Sequence, residues 1–322
     1  MGFGTGILVA IWIVAQGYSS YHIYFDKWLP DPATYEAYLG EWKAMIEEVN
    51  PKSVDSGEVY LVPTGSQFPR GYHPYQFDYL YTGSLPVHLF KMGESDAAEE
   101  VYQALVQDQL QQSVRRVNVV NWTRGEHWGG DGTDRLLFLL NKYAQPESPA
   151  RYTNYDVYPF QRIELGKPWQ LYDQLEPLNV EYDGHISLLG VAFGLHGGEQ
   201  KLREQPVRLP SELRQQPLWL VLMWRADQRM TSDYRVSLRL HDATGALVFQ
   251  QDQDLRNYDR LTTRGWGAQA IVESLHTMAV PPDLPKGAYQ LRVVLYDNVT
   301  LTPTVQIGVW QPEYRLAEFV IE

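Results

Sequence analysis

The sequence predicts an α/β plus all-β protein in three parts. These are an N-terminal membrane helix over residues 1–25, a small α/β sheet domain over 26–147, and a C-terminal antiparallel β-sandwich, jelly-roll-like, over 148–322. Three observations predict it: an uncharged, apolar N-terminal stretch; strand-like segments alternating with helix-like ones in the first half; and short strand candidates crowded between turn signals in the second. A chain of 322 residues is long enough for two ordinary domains. Its 44% hydrophobic residues suffice for a packed core.

Residues Phe3 to Ala15 read FGTGILVAIWIVA, and no charge precedes Asp26. As a helix, this stretch is long enough to cross a hydrocarbon core of about 30 Å. Tyr18, Tyr21, Tyr24, Phe25 and Trp28 follow it as an interfacial aromatic belt would. A cleaved signal peptide would need a basic start, yet no Lys or Arg precedes Lys27. A buried core helix is the other reading of the same pattern. The expectation is a single-pass protein in the lipid bilayer, with its soluble bulk on the extracytoplasmic side.

In the α/β part, Asp31-Pro32 has the form of a helix start, with Asp as N-cap and Pro at the first helical position. Apolar residues from Tyr35 to Val49 then recur at helical spacing, and Pro51 closes the segment. EVYLVP (Glu58 to Pro63), LPVHLF (Leu85 to Phe90) and RRVNVVNW (Arg115 to Trp122) read as strands. Asp96 and Glu99 form a capping box before a helix carrying Val101 and Leu105. A further helix runs from Thr133 or Asp134 through Tyr143. Strands alternating with helices imply a small, mostly parallel sheet.

In the β part, strands are expected at Ile186 to Phe193, Leu218 to Trp224, Tyr234 to His241, Leu247 to Asp252, Tyr289 to Tyr296 and Thr304 to Val309. Turns fall at Asp183-Gly184, Asp242 to Gly245 and Pro285 to Gly287. Tyr234, Val236, Leu238 and Leu240 alternate with Arg235, Ser237, Arg239 and His241, the pattern of a half-buried antiparallel strand.

Composition narrows the function. The formal net charge of −12 argues against nucleic acid, whose phosphates need clustered Lys and Arg. It also argues against peripheral docking on an anionic membrane surface. With no cysteine there is no disulfide, thiolate nucleophile or Cys-ligated zinc. No cofactor or metal motif stands out, and Gly129, Gly130 and Gly132 do not form the dinucleotide-binding glycine pattern.

The most site-like stretch is WTRGEHWGGDGTD, Trp122 to Asp134, lying between a strand and a helix, where α/β folds place ligands. It offers Glu126, Asp131 and Asp134 as acid–base candidates, and Trp122, His127 and Trp128 as ligand-binding candidates. The bland reading is a Gly-rich turn and a helix cap. In GYHPYQFDYLYTG, Tyr75, Phe77, Tyr79 and Tyr81 alternate along one face, so Tyr75 and Tyr79 are candidate sugar platforms or part of a core edge. Trp219, Trp224, Trp266 and Trp310 are stacking candidates in the β part, with core burial the alternative for the first two. Asn121-Trp-Thr and Asn298-Val-Thr are glycosylation sequons.

Several phrases resemble one family. They are YHIYFDKWLPDPATYEAY after the hydrophobic stretch, EVYLVP, VNVVNWTRGEHWGGDGTDRLLFLLNKY, ISLLGVAFG, PLWLVLMWRADQRMTSDYRVSLRLHDATGALVFQQD and LPKGAYQLRVVLYD. Together they are similar to the C-terminal region of bacterial dolichyl-phosphate-mannose-type glycosyltransferases. These belong to family 39, in the protein-mannosyltransferase and aminoarabinose-transferase superfamily. The resemblance implies a last membrane span followed by a soluble extracytoplasmic region. That family's catalytic acid lies in an early loop between membrane helices, which nothing in this chain matches, so no catalytic residue is carried over.

Three functions follow as expectations. The first is an accessory or binding region of a membrane glycosyltransferase core, positioning a glycan or protein acceptor. The second is a structural or assembly subunit of another membrane protein complex. The third is a free-standing carbohydrate-active enzyme, which would need two carboxylates flanking a cleft.

Overall fold

The computed structural model describes residues 16, 18, 40–52, 56–64, 81–91, 97–111, 113–122, 131–152, 155–183, 185–195, 198–200, 206–209, 217–257, 261–281 and 283–322. The chain divides into two compact units. One is Met1–Ser56 with Gly71–Leu85, and the other is Gly57–Arg70 with Pro86–Glu322.

In the first unit, α1 (Gly40–Val49) buries Met45, Ile46 and Val49 on one stripe. The helix ends at Val49, and Asn50 turns the chain into Pro51, which cannot continue it. The Asn50 Oδ1 accepts the main-chain N–H groups of Thr82 and Gly83, each at 3.1 Å, tying the helix end to a distant turn.

The second unit opens with sheet A. β1 (Glu58–Thr64) lies between β2 (Val87–Lys91) and β3 (Arg116–Trp122), both parallel to it. All of Val59 to Val62 are buried, as expected of a parallel strand covered on both faces. Helices α2 (Ala97–Gln111) and α3 (Asp131–Tyr143) belong to this part. β4 (Gln145–Pro146), β5 (Ala150–Arg151) and β6 (Tyr155–Gln161) then turn back onto the sheet, with β6 antiparallel to β3.

Two further sheets form a sandwich. Sheet B has the order β14 (Ile271–Met278), β11 (Leu218–Ala226), β8 (Ile186–Leu195), β7 (Glu176–Tyr182), with β9 (Gly198–Gln200) on β8. Sheet C has the order β10 (Val207–Leu209), β16 (Glu313–Ile321), β15 (Gly287–Asp297), β12 (Tyr234–Asp242), β13 (Leu247–Asp254). Leu188, Leu220, Trp224, Leu238, Val293 and Phe319 meet in the core between them.

Sheet B is buried on its other face too. Ala192, Trp219 and Val221 join Leu136, Leu139 and Leu140 of α3 in a second core shared with sheet A. The Phe138 ring meets Trp219 edge-on, 6.2 Å between centroids. At Gly194 a Cβ would lie 2.5 Å from Trp219 Cζ2, so only glycine lets β8 pass this close to the indole.

The expected fold class is corrected by this structure. Among the described residues the chain is mostly β, in three sheets with three short helices, and no helix is long and apolar enough to cross a membrane. The longest, α2, has 15 residues, about 22 Å of helix against a hydrocarbon core of about 30 Å. Gln16 and Tyr18, both helical, are the described residues of the stretch 1–25; the rest of the expected membrane helix lies outside the described residues. The balance also shifts toward β because residues 145–161 add antiparallel strands to sheet A.

The strand expected at Thr304 to Val309 is replaced by a looped excursion. Gln306 makes an isolated bridge to Tyr182, and Gly308 (φ 87°) and Trp310 (φ 60°) reverse the chain in the left-handed region.

Candidate functional site

A cleft of about 560 Å³ opens where α3 and β6 approach the sandwich edge formed by β13 and β14. α3 contributes Arg135, Leu137, Phe138 and Asn141, and β6 contributes Tyr158. β12 adds Arg235; β13 and the turn after it add Gln251 to Asp254, Arg256 and Asn257. β14 alternates, turning Val272, Ser274, His276 and Met278 inward and leaving Glu273, Leu275 and Thr277 half-buried toward the cleft.

Side-chain amides hold the two edge strands together. Gln251 and Gln253 donate Nε2–H to the carbonyls of Thr277 (2.9 Å) and Leu275 (3.1 Å). They stand in for the backbone donors that another strand would bring to β14. Asp254 is clamped by Arg235 Nε and Arg256 Nη2, each at 2.9 Å. Glu273 Oε1 accepts the Tyr172 hydroxyl at 2.6 Å. Burial first, and then the Glu273 carboxylate, push the Tyr172 hydroxyl up to about 12, while Arg135 pulls the other way.

The cleft is thus lined by planar polar groups, guanidinium, carboxylate and primary amide, several of them already paired with one another. The rings of Tyr158 and Phe138 and the side chain of Leu275 supply apolar contact beside them.

Of the residues singled out by sequence, Tyr75, Tyr79, Glu126, His127 and Trp128 lie outside the described residues. Trp122 ends β3, and Asp131 and Asp134 lie in the first turn of α3, with side chains outside the description. Asp134 directly precedes Arg135 of the cleft in the chain. Trp219, Trp224 and Trp266 are buried, whereas Trp310 is 71% exposed. Among the described residues no group of His, Asp and Glu is placed to hold a metal ion.

The sequence places a strand at Leu247 to Asp252, which the structure extends to Asp254 as β13, but its place in the cleft went unread. Its signal was present: Gln250-Gln251-Asp252-Gln253-Asp254 is polar on both alternating faces, which marks an edge strand rather than a half-buried one. Sequence reasoning also missed His88 of β2, whose Nε2 lies 2.6 Å from Asp108 Oδ2 of α2.

No family model matches the chain, and no curated protein matches it. Among solved structures, the C-terminal domain of wzt is 9% identical over 47% of this chain and 80% of that one, with a TM-score of 0.32. A β-glucuronidase from Bacteroides uniformis is 11% identical over 52% of this chain and 16% of that one, with a TM-score of 0.25. An endonuclease/exonuclease/phosphatase from Beutenbergia cavernae is 13% identical over 71% of this chain and 62% of that one, with a TM-score of 0.20. At such scores these likenesses carry no argument about fold or function, and they do not identify a family 39 glycosyltransferase region.

Proposed function

We propose that this chain is a glycan-binding accessory region that works on the extracytoplasmic side beside a membrane glycosyltransferase, with the β13–β14 cleft holding the glycan acceptor. The carrying observation is the cleft itself, which Arg135, Asn141, Asp252, Arg256 and Glu273 line together with Tyr158. Its chemistry is that of hydroxyl recognition, and the resemblance of the chain's phrases to the soluble tail of family 39 glycosyltransferases supplies the setting. The reading assigns no catalytic residue.

The test is a glycan array probed with the protein and with the double variant Arg135→Ala/Arg256→Ala. The expected result is binding to a restricted glycan class, weakened at least tenfold in the variant. No binding to any glycan, or equal binding by the variant, overturns the reading. Mass spectrometry of what co-purifies from native membranes tests the setting: a multi-span glycosyltransferase supports it, and an unrelated assembly sinks it.

A second reading, an assembly subunit of another membrane complex, is favoured by one observation. Val299, Leu301, Ile307, Val309 and Trp310 are all exposed in the excursion between β15 and β16. The segment from Asn298 to Pro312 carries no charge, and exposed apolar patches mark contact surfaces.

A further inference from the structure

We infer that the excursion between β15 and β16 is a docking surface for another protein, whose matching face is apolar at its centre and bordered by Lys and Arg. This rests on the assembly reading and adds the chemistry of the partner; none of the residues involved lines the cleft. Val299, Leu301, Ile307, Val309 and Trp310 each expose more than half of their surface, on the uncharged run from Asn298 to Pro312. One residue in five of the whole chain is charged, so the run lacks about three charges that its length would bring. Absence of charge and presence of tryptophan are what the centre of a protein interface requires.

Hydrogen bonds hold these side chains out. The Trp310 N–H donates to the Gln306 carbonyl and the Gln306 N–H to the Gln311 carbonyl, each at 2.9 Å. The buried Gln306 side chain donates Nε2–H to the Glu313 carbonyl at 2.7 Å. Leu301 (φ 55°) and Trp310 (φ 60°) hold left-handed backbone, and His185 (φ 66°) and Gln269 (φ 63°) do so in neighbouring turns. These turns are joined: the Asp183 N–H donates to the Val305 carbonyl and the Asp227 N–H to the His185 carbonyl, each at 2.8 Å, and Gln269 Nε2–H donates to the Asp227 carbonyl at 2.7 Å. Among the described residues, four of the five non-glycine residues in this conformation thus gather at one end of the sandwich. Such backbone is costly and collects at functional sites, and a surface set in advance loses less entropy on binding.

Charge at the border selects the occupant. The Ile307 N–H donates to the Glu181 carbonyl, and the Val299 and Thr300 N–H groups donate to Asp297 Oδ1, all at 2.8 Å. Glu181, Asp183 and Asp297 therefore flank the patch, the first two of them exposed. Among the described residues none of the three has a cation within salt-bridge distance. The Thr300 and Val299 N–H groups hold the Asp297 carboxyl below the usual carboxylate range. Burial, and then the Asp297 and Asp183 charges, push the Tyr234 hydroxyl up, so both carboxylates act at one place. Asp233 also adjoins, its carbonyl accepting the Asn298 N–H at 2.8 Å, but Arg264 Nε neutralises its carboxylate at 2.8 Å. A second copy docked through the same patch would set acidic border against acidic border. An anionic bilayer would be repelled in the same way, whereas a basic border on a different protein would be attracted.

The experiment places photo-reactive benzoylphenylalanine at position 299 or 307 of the full chain in its native cells. Mass spectrometry identifies the cross-linked protein, and its association with the purified chain is then measured. One different protein is expected in the adduct. Trp310→Asp, a residue type that accepts left-handed backbone, is expected to weaken its binding at least tenfold. Glu181→Lys with Asp183→Lys is expected to slow association at least fivefold at low salt, with melting temperatures near wild type in both variants. Association that the charge reversal leaves unchanged overturns the inference and leaves the assembly reading standing. Adducts with a second copy alone, or flotation of the chain with phosphatidylcholine vesicles, overturn it in favour of those occupants. Absence of any adduct overturns it too, and the assembly reading falls with it if no complex co-purifies from native membranes.

Discussion

The Lys142 ammonium lies 4.0 Å from the centroid of the Trp219 ring, in the layer that joins α3 to sheet B, and donates to the Leu171 carbonyl at 3.0 Å. Lys142 is 1% exposed. Burial, the largest cause, pulls its ammonium down to about 8, against the charges of Glu199 and Asp173. A folded value below the unfolded one means that the unfolded chain holds the proton more tightly. The burial penalty is therefore complete below pH 8 and fades as pH rises toward 10.5.

Lys142→Met is expected to remove that dependence. Relative to the variant, the wild type should gain about 2 kcal/mol between pH 8 and 9.5, before tyrosines ionise. Urea unfolding of both proteins across this range checks it, and parallel curves would refute it.

His276 predicts the opposite end of the pH scale. It is fully buried between the sandwich sheets, its Nε2 2.8 Å from Ser274 Oγ, which also accepts the Trp224 indole N–H at 2.9 Å. Burial holds its imidazole down at about 4. The neutral ring's contribution is whole above pH 6.5 and is lost as pH falls toward 4, because the unfolded chain takes up the proton first. Wild type should lose about 2 kcal/mol from this group between pH 6.5 and 5, and His276→Gln should lose much less there. Thermal midpoints at the two pH values decide it.

Glu313 gathers three strands of sheet C. Its carboxylate accepts Arg239 Nη1 at 2.8 Å and Arg292 Nη1 at 2.9 Å, with His241 Nε2 at 3.4 Å. Desolvation alone would push its pKa up, but the hydrogen bonds from Arg292 and Arg239 together hold it below the usual carboxylate value. Glu313→Gln should cost about 2 kcal/mol in chemical denaturation, since it leaves two half-buried guanidinium groups without their anion. A double-mutant cycle with Arg292→Met should show coupling between the two positions. Additive losses would mean that the bridge adds nothing.

The amide arms over β14 give a prediction about association. Gln251→Ala with Gln253→Ala removes two donors from the carbonyls of Thr277 and Leu275, at about 1 kcal/mol each. It also uncovers a strand edge. Light scattering should show concentration-dependent self-association in the variant and none in the parent.

Gly194→Ala and Gly267→Ala form a matched pair. A methyl group at Gly194 would strike Trp219 and the Gly198 carbonyl, whereas at Gly267 nothing lies within 4 Å. The first should cost more than about 3 kcal/mol or abolish soluble expression. The second should leave the melting temperature near that of wild type.

How far the sequence could be read follows from how local each feature is. β12 shows its alternation because one face meets the core and the other faces outward with Arg235 and Arg239. β11 shows none, because α3 covers the face that would otherwise be polar. LWLVLMW is the signature of double burial, but it left open which tryptophan faces which layer. Gly308 and Trp310 break the strand that TVQIGV suggested, and nothing in residue type announces a left-handed tryptophan. The cleft was beyond reach for a different reason. Arg135 and Glu273 are far apart in the chain and meet only because sheet A and the sandwich share α3. The Gly-rich stretch from Trp122 to Asp134 drew notice because its signals are adjacent in sequence.

The double burial of sheet B has a consequence for the tempo of the molecule. Water reaches amides of β8 and β11 from neither face, because α3 shields one and sheet C the other. Their hydrogens can exchange with solvent only when the second unit opens as a whole, so this central wall should set the slowest clock in the protein. Ends and turns such as Asn298 to Gln311 would exchange on a clock of their own. The cleft borders this wall, because β14 is tied to it through β11.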